Sequence, residues 1–215
     1  MKEVGWIQIH SSTQFPPSSI CLSSASPRLC VRLSRFSIEF HSRIVFDGRM
    51  TWAQICEEPA FRDLPFKIET NASGQIIMSP AKGFHGVKQS RICALLEFLV
   101  PDGTTVSECP VNTSAGVRVA DVGWYQEERI APYLDETTFP VSPDICVEIL
   151  SESNSAEEME GKRMLYAEKG ALELWLCDKD GNLQFKDAQS GELLETSKIC
   201  EGFPKNVLKK GQRKK

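Results

Sequence analysis

Two stretches of this chain, residues 117–125 and 145–150, are apolar at almost every position instead of every second one. A strand with one wet face alternates, whereas a strand apolar on both faces belongs in the middle of a sheet with other elements packed against it. Each of these runs is nevertheless interrupted by a single carboxylate, Asp121 in the first and Glu148 in the second. An isolated carboxylate in such surroundings costs several kcal/mol or takes up a proton, so each acid needs a cation, hydrogen-bond donors or an opening to solvent.

The elements around these two strands follow from local pattern. A helix over residues 52–58 opens with Thr51 as N-cap and Gln54 as the reciprocal partner of a capping box. Residues 66–69 and 75–78 pair as a hairpin about the turn residues 71–74. From His85 to about Leu99, the apolar Ile92, Leu95, Leu96 and Leu99 fall at i, i+3, i+4 and i+7, the stripe of a helix lying on a sheet. Residues 106–109 read as a short strand. The helix over residues 156–169 has Ser155 as its cap with Glu158 three positions on, and Gly170 as its stop. Residues 172–177 and 183–186 complete a last hairpin. The fold class is α/β, a mixed, curved β-sheet flanked by helices, and no 20–50-residue period repeats.

With 215 residues, 41% apolar and 25% charged, the chain suits one soluble domain of about 150 residues plus additional segments. Its longest apolar stretch, residues 92–100, is nine residues and contains Glu97, whereas a membrane span needs about 20. Residues 1–9 lack the apolar segment of a secretory signal. A cytoplasmic protein is the expectation. The eight cysteines show no Cys-x-x-Cys and no close Cys/His spacing, which argues against a zinc finger or ribbon. Cys93, Cys146 and Cys177 sit among Ile, Val or Leu and read as reduced core thiols.

Residues 1–49 carry ten serines and six basic against three acidic groups, with no sustained period, and are expected to form a disordered N-terminal extension. Translation from Met50 would then give a complete domain over residues 50–204. Residues 205–215, with six basic side chains, read as a solvated basic tail able to touch phosphates.

A divalent metal would satisfy Asp121 and Glu148 together. Mg²⁺ prefers oxygen ligands and is typically held by one or two carboxylates plus substrate phosphate oxygens, which points to phosphoester chemistry. Each acid could instead pair with an arginine or with backbone amides. On a helical wheel Lys162 falls on the packed side, three residues from Met159 and four from Tyr166, and is expected to point toward the sheet. There it can orient a water or balance charge in a phosphate transition state; the bland alternative is a lysine whose stem covers the core and whose ammonium reaches water. Arg163 could take its place. Glu69 is either a third carboxylate near the metal or an outward polar residue alternating with Lys67. His85 either contacts phosphate or caps its helix. No Gly-x-Ser-x-Gly, P-loop or dinucleotide fingerprint is present.

The order strand-Asp121, strand-Glu148, helix-Lys162 resembles the PD-(D/E)XK nuclease superfamily. Glu69, the segment 74–80, His85, Val119-Ala120-Asp121-Val122, Pro143-Asp144-Ile145-Cys146-Val147-Glu148-Ile149-Leu150-Ser151 and Lys162 with Tyr166 resemble more closely the bacterial putative restriction endonuclease family. The likeness spans about residues 50–204. It implies a restriction-endonuclease-like core, cleavage of DNA dependent on Mg²⁺ or Mn²⁺, Asp121 and Glu148 as metal ligands, Lys162 and Glu69 as further catalytic residues, and His85 and Ser151 at the substrate. Two departures stand out. Leu150 occupies the place of the superfamily's lysine, so the role passes to Lys162, and Glu152 stands where proline often follows Ser151.

The leading expectation is therefore a metal-dependent endodeoxyribonuclease, with a homodimer as the simplest way to cut two strands. The alternatives are an inactive nuclease fold serving as a DNA-binding or protein-interaction module, and a hydrolase of small phosphoesters. An overall charge of -4 permits a local basic cleft but gives no positive support for nucleic acid.

Overall fold

The computed structural model describes residues 36–39, 43–46, 50–80, 83–152 and 154–208. In chain order the elements are β1 (Phe36–Glu39), β2 (Arg43–Phe46), α1 (Trp52–Glu57), β3 (Phe66–Thr70), β4 (Ile76–Pro80), α2 (Gly83–Leu99), β5 (Gly103–Thr113), β6 (Gly116–Gln126), α3 (Glu127–Ile130), β7 (Ile145–Ile149), α4 (Ala156–Glu168), β8 (Glu173–Cys177), β9 (Leu183–Asp187) and β10 (Leu193–Leu194).

The main sheet has the order β10-β9-β8-β7-β6-β5. Every neighbouring pair is antiparallel except β7 and β8, which run parallel and are joined through α4. The sheet is thus mixed and open, with helices against it. The double-sided apolar character of β7 and β8 has a direct cause. Ile145, Val147, Ile149, Trp175 and Cys177 face a core shared with Ile92 and Leu96 of α2. Cys146, Leu174 and Leu176 face the opposite core, shared with Met159 and Tyr166 of α4. Since side chains alternate along a strand, Glu148 shares the face of Cys146 and is directed at α4.

A second sheet, β1-β2-β4-β3, packs its β3 edge against β6. Of β6, only Val122, Gly123 and Trp124 pair with β7, which leaves the first half of β6 without a strand partner on that side. Residues of β3 supply the missing acceptors: the Val117 amide donates to Thr70 Oγ1 at 2.8 Å and the Val119 amide to Glu69 Oε1 at 2.9 Å. Arg118 adds a bond to the Thr70 carbonyl at 2.8 Å. Gly116, at φ 96, permits this approach, because a Cβ there would lie 2.5 Å from the Thr70 carbonyl oxygen.

Three details add to the sequence expectations. Strand β5 has eleven residues instead of a short 106–109 segment. As the edge strand it pairs along its length with β6 alone, its other side meeting only an isolated bridge from Val111 to Phe139, so Thr104, Thr105, Ser107 and Asn112 hide the pattern, and Pro110 is tolerated. Within residues 1–49, expected to be of low order, the two short strands β1 and β2 extend the second sheet beyond β4; the remainder of residues 1–49 lies outside the described residues. Two four-residue strands are too short to declare a period, and they are ordered by pairing with β4. Finally, the 205–215 segment is docked where it begins: Leu183 donates to the Lys205 carbonyl and Val207 is buried, while residues 209–215 lie outside the described residues.

Among the described cysteines, Cys109, Cys146, Cys177 and Cys200 are buried, Cys93 is half-buried and Cys56 is exposed, all unbridged. Cys21 and Cys30 lie outside the described residues. Among the described residues no helix is long and apolar enough to cross a membrane.

Candidate active site

The site forms where the β6/β7 ladder stops. The last paired residues are Val122 and Val147. Carrying that register one step further brings Asp121 opposite Glu148, so two acids far apart in sequence emerge side by side on one face. The backbone ladder is replaced there by a side chain, since Asp121 Oδ2 accepts the Ile149 amide at 2.6 Å.

Both acids meet the same cation. Lys67 Nζ lies 2.6 Å from Asp121 Oδ1 and 3.6 Å from Glu148 Oε2. A second lysine, Lys162 on α4, donates to Glu148 Oε1 at 3.1 Å, to Glu148 Oε2 at 3.0 Å and to Glu69 Oε1 at 3.0 Å. All three of its N–H bonds thus end on carboxylate oxygens. Tyr166, one turn further along α4, donates its hydroxyl to Glu148 Oε1 at 2.7 Å. The chain of groups is Glu69, Lys162, Glu148, Lys67, Asp121, and when fully ionised its three carboxylates and two ammoniums leave one net negative charge.

Burial sets the electrostatics. For Glu69, desolvation alone would raise the pKa, but Lys162, Lys67 and the Val119 amide hold it at about 2. Glu148 moves the other way: burial, together with the negative charge of Asp121 and Glu69, outweighs Lys162 and Lys67 and raises it. Both lysines stay protonated. Burial opposes their charge, but Glu148 leads the carboxylates that raise Lys162 and Lys67 above the ordinary range. Burial and the Glu148 charge likewise raise Tyr166, which remains a neutral donor.

Two further residues close the edge of the site. Gln89 on α2 donates its amide both to the Asp121 carbonyl at 3.1 Å and to Glu108. Glu108 stands on β5 opposite Asp121, left out of the ladder between the pairs Ser107–Val122 and Cys109–Ala120, with a left-handed φ of 50.

Asp121, Glu148, Lys162 and Glu69 are therefore brought together. Arg163, the alternative to Lys162, is not; it turns to the carbonyls of Ala188 and Gln189 and to Glu160. His85 is half-buried in the first turn of α2, on the same face as Gln89 one turn later. Ser151 follows β7, and its amide and hydroxyl both donate to Asn154 Oδ1, which shapes the loop into α4. Another buried acid, Asp144, belongs elsewhere, satisfied by Arg129 and by the Gln126 amide at 2.9 Å. The member of the charged cluster missed by sequence reasoning is Lys67. The signal was available, because residues two apart on a strand share a face, so a site-facing Glu69 brings Lys67 with it.

The donor set suits a hard divalent cation. Asp121 and Glu148 already share one positive charge, and both offer only oxygen. Among the described residues no three His, Cys, Asp or Glu side chains are grouped to hold a metal by themselves. Two carboxylates are nevertheless what Mg²⁺ commonly takes from a protein when water and substrate phosphate complete its shell.

Residues 58–196 match the model of the Uma2 family, described as putative restriction endonuclease. The chain belongs to this family. All five charged groups of the cluster fall within the matched Uma2 region, whereas β1 and β2 lie before it. The crystal structure of a putative nuclease belonging to DUF820 from Anabaena variabilis ATCC 29413 has a similar fold, with a TM-score of 0.58 and 19% identity, over 74% of this chain and 95% of that one. No curated protein matches the chain. Family and fold neighbour together support a nuclease in general terms.

Proposed function

We propose that the protein is a metal-dependent endonuclease that hydrolyses DNA phosphodiester bonds, with its functional unit over residues 50–204. The observation that carries this reading is the convergence of Asp121 and Glu148 on a single cation at the broken end of the β6/β7 ladder. Asp121 and Glu148 would hold Mg²⁺ or Mn²⁺, and the ion when bound supplies charge neutralisation at the phosphate and at the departing oxygen. The chain's own residues do the positioning. Lys162 and Tyr166 fix both oxygens of Glu148, so Lys162 acts through that carboxylate. Glu69 secures Lys162 and joins β3 to β6. Asp121 is oriented by the Ile149 amide. His85 and Ser151 are assigned to the DNA side, and a homodimer would present two such sites to two strands.

A second reading, a nuclease fold that binds without cutting, draws on the fact that both oxygens of Asp121 already have partners. Plasmid nicking separates the two. The full chain is expected to nick supercoiled DNA with Mg²⁺ or Mn²⁺ but not with chelator, and Asp121→Ala to lose that activity by at least about a hundredfold. Equal nicking by wild type and Asp121→Ala refutes the proposal, as does wild-type DNA binding without cleavage under either metal.

A further inference from the structure

The cation position between Asp121 and Glu148 is not left open to solvent in the fold; a side chain fills it. Lys67 Nζ donates to Asp121 Oδ1 at 2.6 Å and stands 3.6 Å from Glu148 Oε2. Of the five charged side chains in the cluster, Lys67 keeps the largest exposure, 17%, against 9% for Lys162 and 5–11% for the three acids. Lys67 is thus the member nearest the opening, on a flexible four-carbon stem with rotatable donors. Lys162 lacks this freedom, since its three donors end on two carboxylates.

Charge counting favours exchange over addition. The three carboxylates and Lys162 together carry two net negative charges, which one divalent ion cancels. A divalent ion added beside a retained Lys67 ammonium would face it across a few ångströms within a poorly solvated site, a like-charge contact.

We propose that Lys67 is a built-in occupant of the metal position, and that a divalent ion binds Asp121 and Glu148 by displacing the Lys67 ammonium toward the open side of the site. This rests on the metal-dependent reading above and adds to it a residue and a control: metal affinity is set by competition with a side chain, and the released ammonium moves to the open side of the site, away from the ion and toward an approaching phosphate.

The test uses metal binding and side-chain reactivity in the full chain, without a cleavage assay. Mn²⁺ is titrated by calorimetry into wild type, Lys67→Met and Lys67→Arg. Met fills the stem's volume without charge, so Lys67→Met is expected to bind Mn²⁺ about tenfold more tightly or better, while Lys67→Arg retains the competitor and stays near or below wild type. In parallel, wild type is treated with an amine-acylating reagent with and without saturating Mn²⁺, and modification is read by peptide mass spectrometry. Lys67 acylation is expected to rise several-fold with metal while Lys162 stays protected. The second measurement needs no variant, so a poorly folded Lys67→Met leaves the proposal testable. Metal binding by wild type with Lys67 equally protected in both states, or unchanged affinity in folded Lys67→Met, overturns displacement and leaves the metal reading standing. Absence of Mn²⁺ binding in every protein overturns both.

Discussion

Removing Lys162 isolates the electrostatic core of the cluster from its chemistry. Lys162→Met keeps the stem and deletes the charge at a residue that is 7% exposed and bonded to three carboxylate oxygens. Breaking a buried ion pair from one side costs about 3–5 kcal/mol, because the other charge stays buried without compensation. Here Glu148 keeps Lys67 at 3.6 Å and the Tyr166 hydroxyl at 2.7 Å as partners, which limits the loss. We therefore expect a loss at the lower end, about 3 kcal/mol at neutral pH. At about 2–4 °C per kcal/mol this lowers Tm by about 6–12 °C.

The pH dependence fixes the sign. Burial raises Glu69 but Lys162 and Lys67 outweigh it, holding the group at about 2 against an ordinary 4.5. Its contribution is present above 4.5 and lost as pH falls toward 2. Burial lowers Lys162 but Glu148 and Glu69 raise it above 10.5, so its contribution is complete below 10.5 and lost as pH rises through the folded value. The gap between wild type and Lys162→Met is thus widest from about pH 5 to 10 and closes in acid. Urea unfolding followed by the fluorescence of buried Trp124 and Trp175 measures it. A gap below about 1 kcal/mol at pH 7, or one that grows on acidification, refutes the reasoning.

Two further substitutions follow from single contacts. Tyr166→Phe removes the 2.7 Å hydroxyl bond to Glu148 and should cost about 1.5–3 kcal/mol in urea unfolding, with a cost near zero refuting the bond's role. Glu108→Gly relieves a left-handed backbone that costs a non-glycine residue about 1–3 kcal/mol, offset by the greater unfolded-state entropy of glycine. The expected net gain of about 1 kcal/mol raises Tm by about 2–4 °C in calorimetry, and an unchanged or lower Tm argues that the Gln89 contact to Glu108 matters more.

The interior of the fold was legible because its signals are periodic. Two runs apolar on both faces identified β6 and β7, and the i, i+3, i+4, i+7 stripe placed Ile92 and Leu96 of α2 on one face of the sheet. Capping chemistry located the starts of α1 and α4. The carboxylates Asp121 and Glu148 were legible for the opposite reason, as charges that violate the pattern around them. What stayed hidden depends on pairing across the chain. Strand β5 is an edge with a polar outer half, β1 and β2 are four-residue strands ordered by β4, and residues 205–208 are held by β9 and Arg91. Lys67 was hidden by chemistry, since a lysine two residues from a glutamate reads as an ordinary wet strand face until β6 is laid over it.

That overlay has a consequence for how the cluster lives and fails. Lys67 and Glu69 ride on a hairpin that is not part of the main sheet and is clasped to β6 through Thr70, Glu69 and Arg118. A hinge-like release of this hairpin would withdraw a cation and an anion together, leaving the charge of the remaining groups unchanged while opening their backbone amides to water. Local opening of such a clasp requires less free energy than global unfolding. The protein thus carries its charged cluster on a joint between two sheets, and amide exchange at Val117 and Val119 would serve as a gauge of how often that joint comes apart.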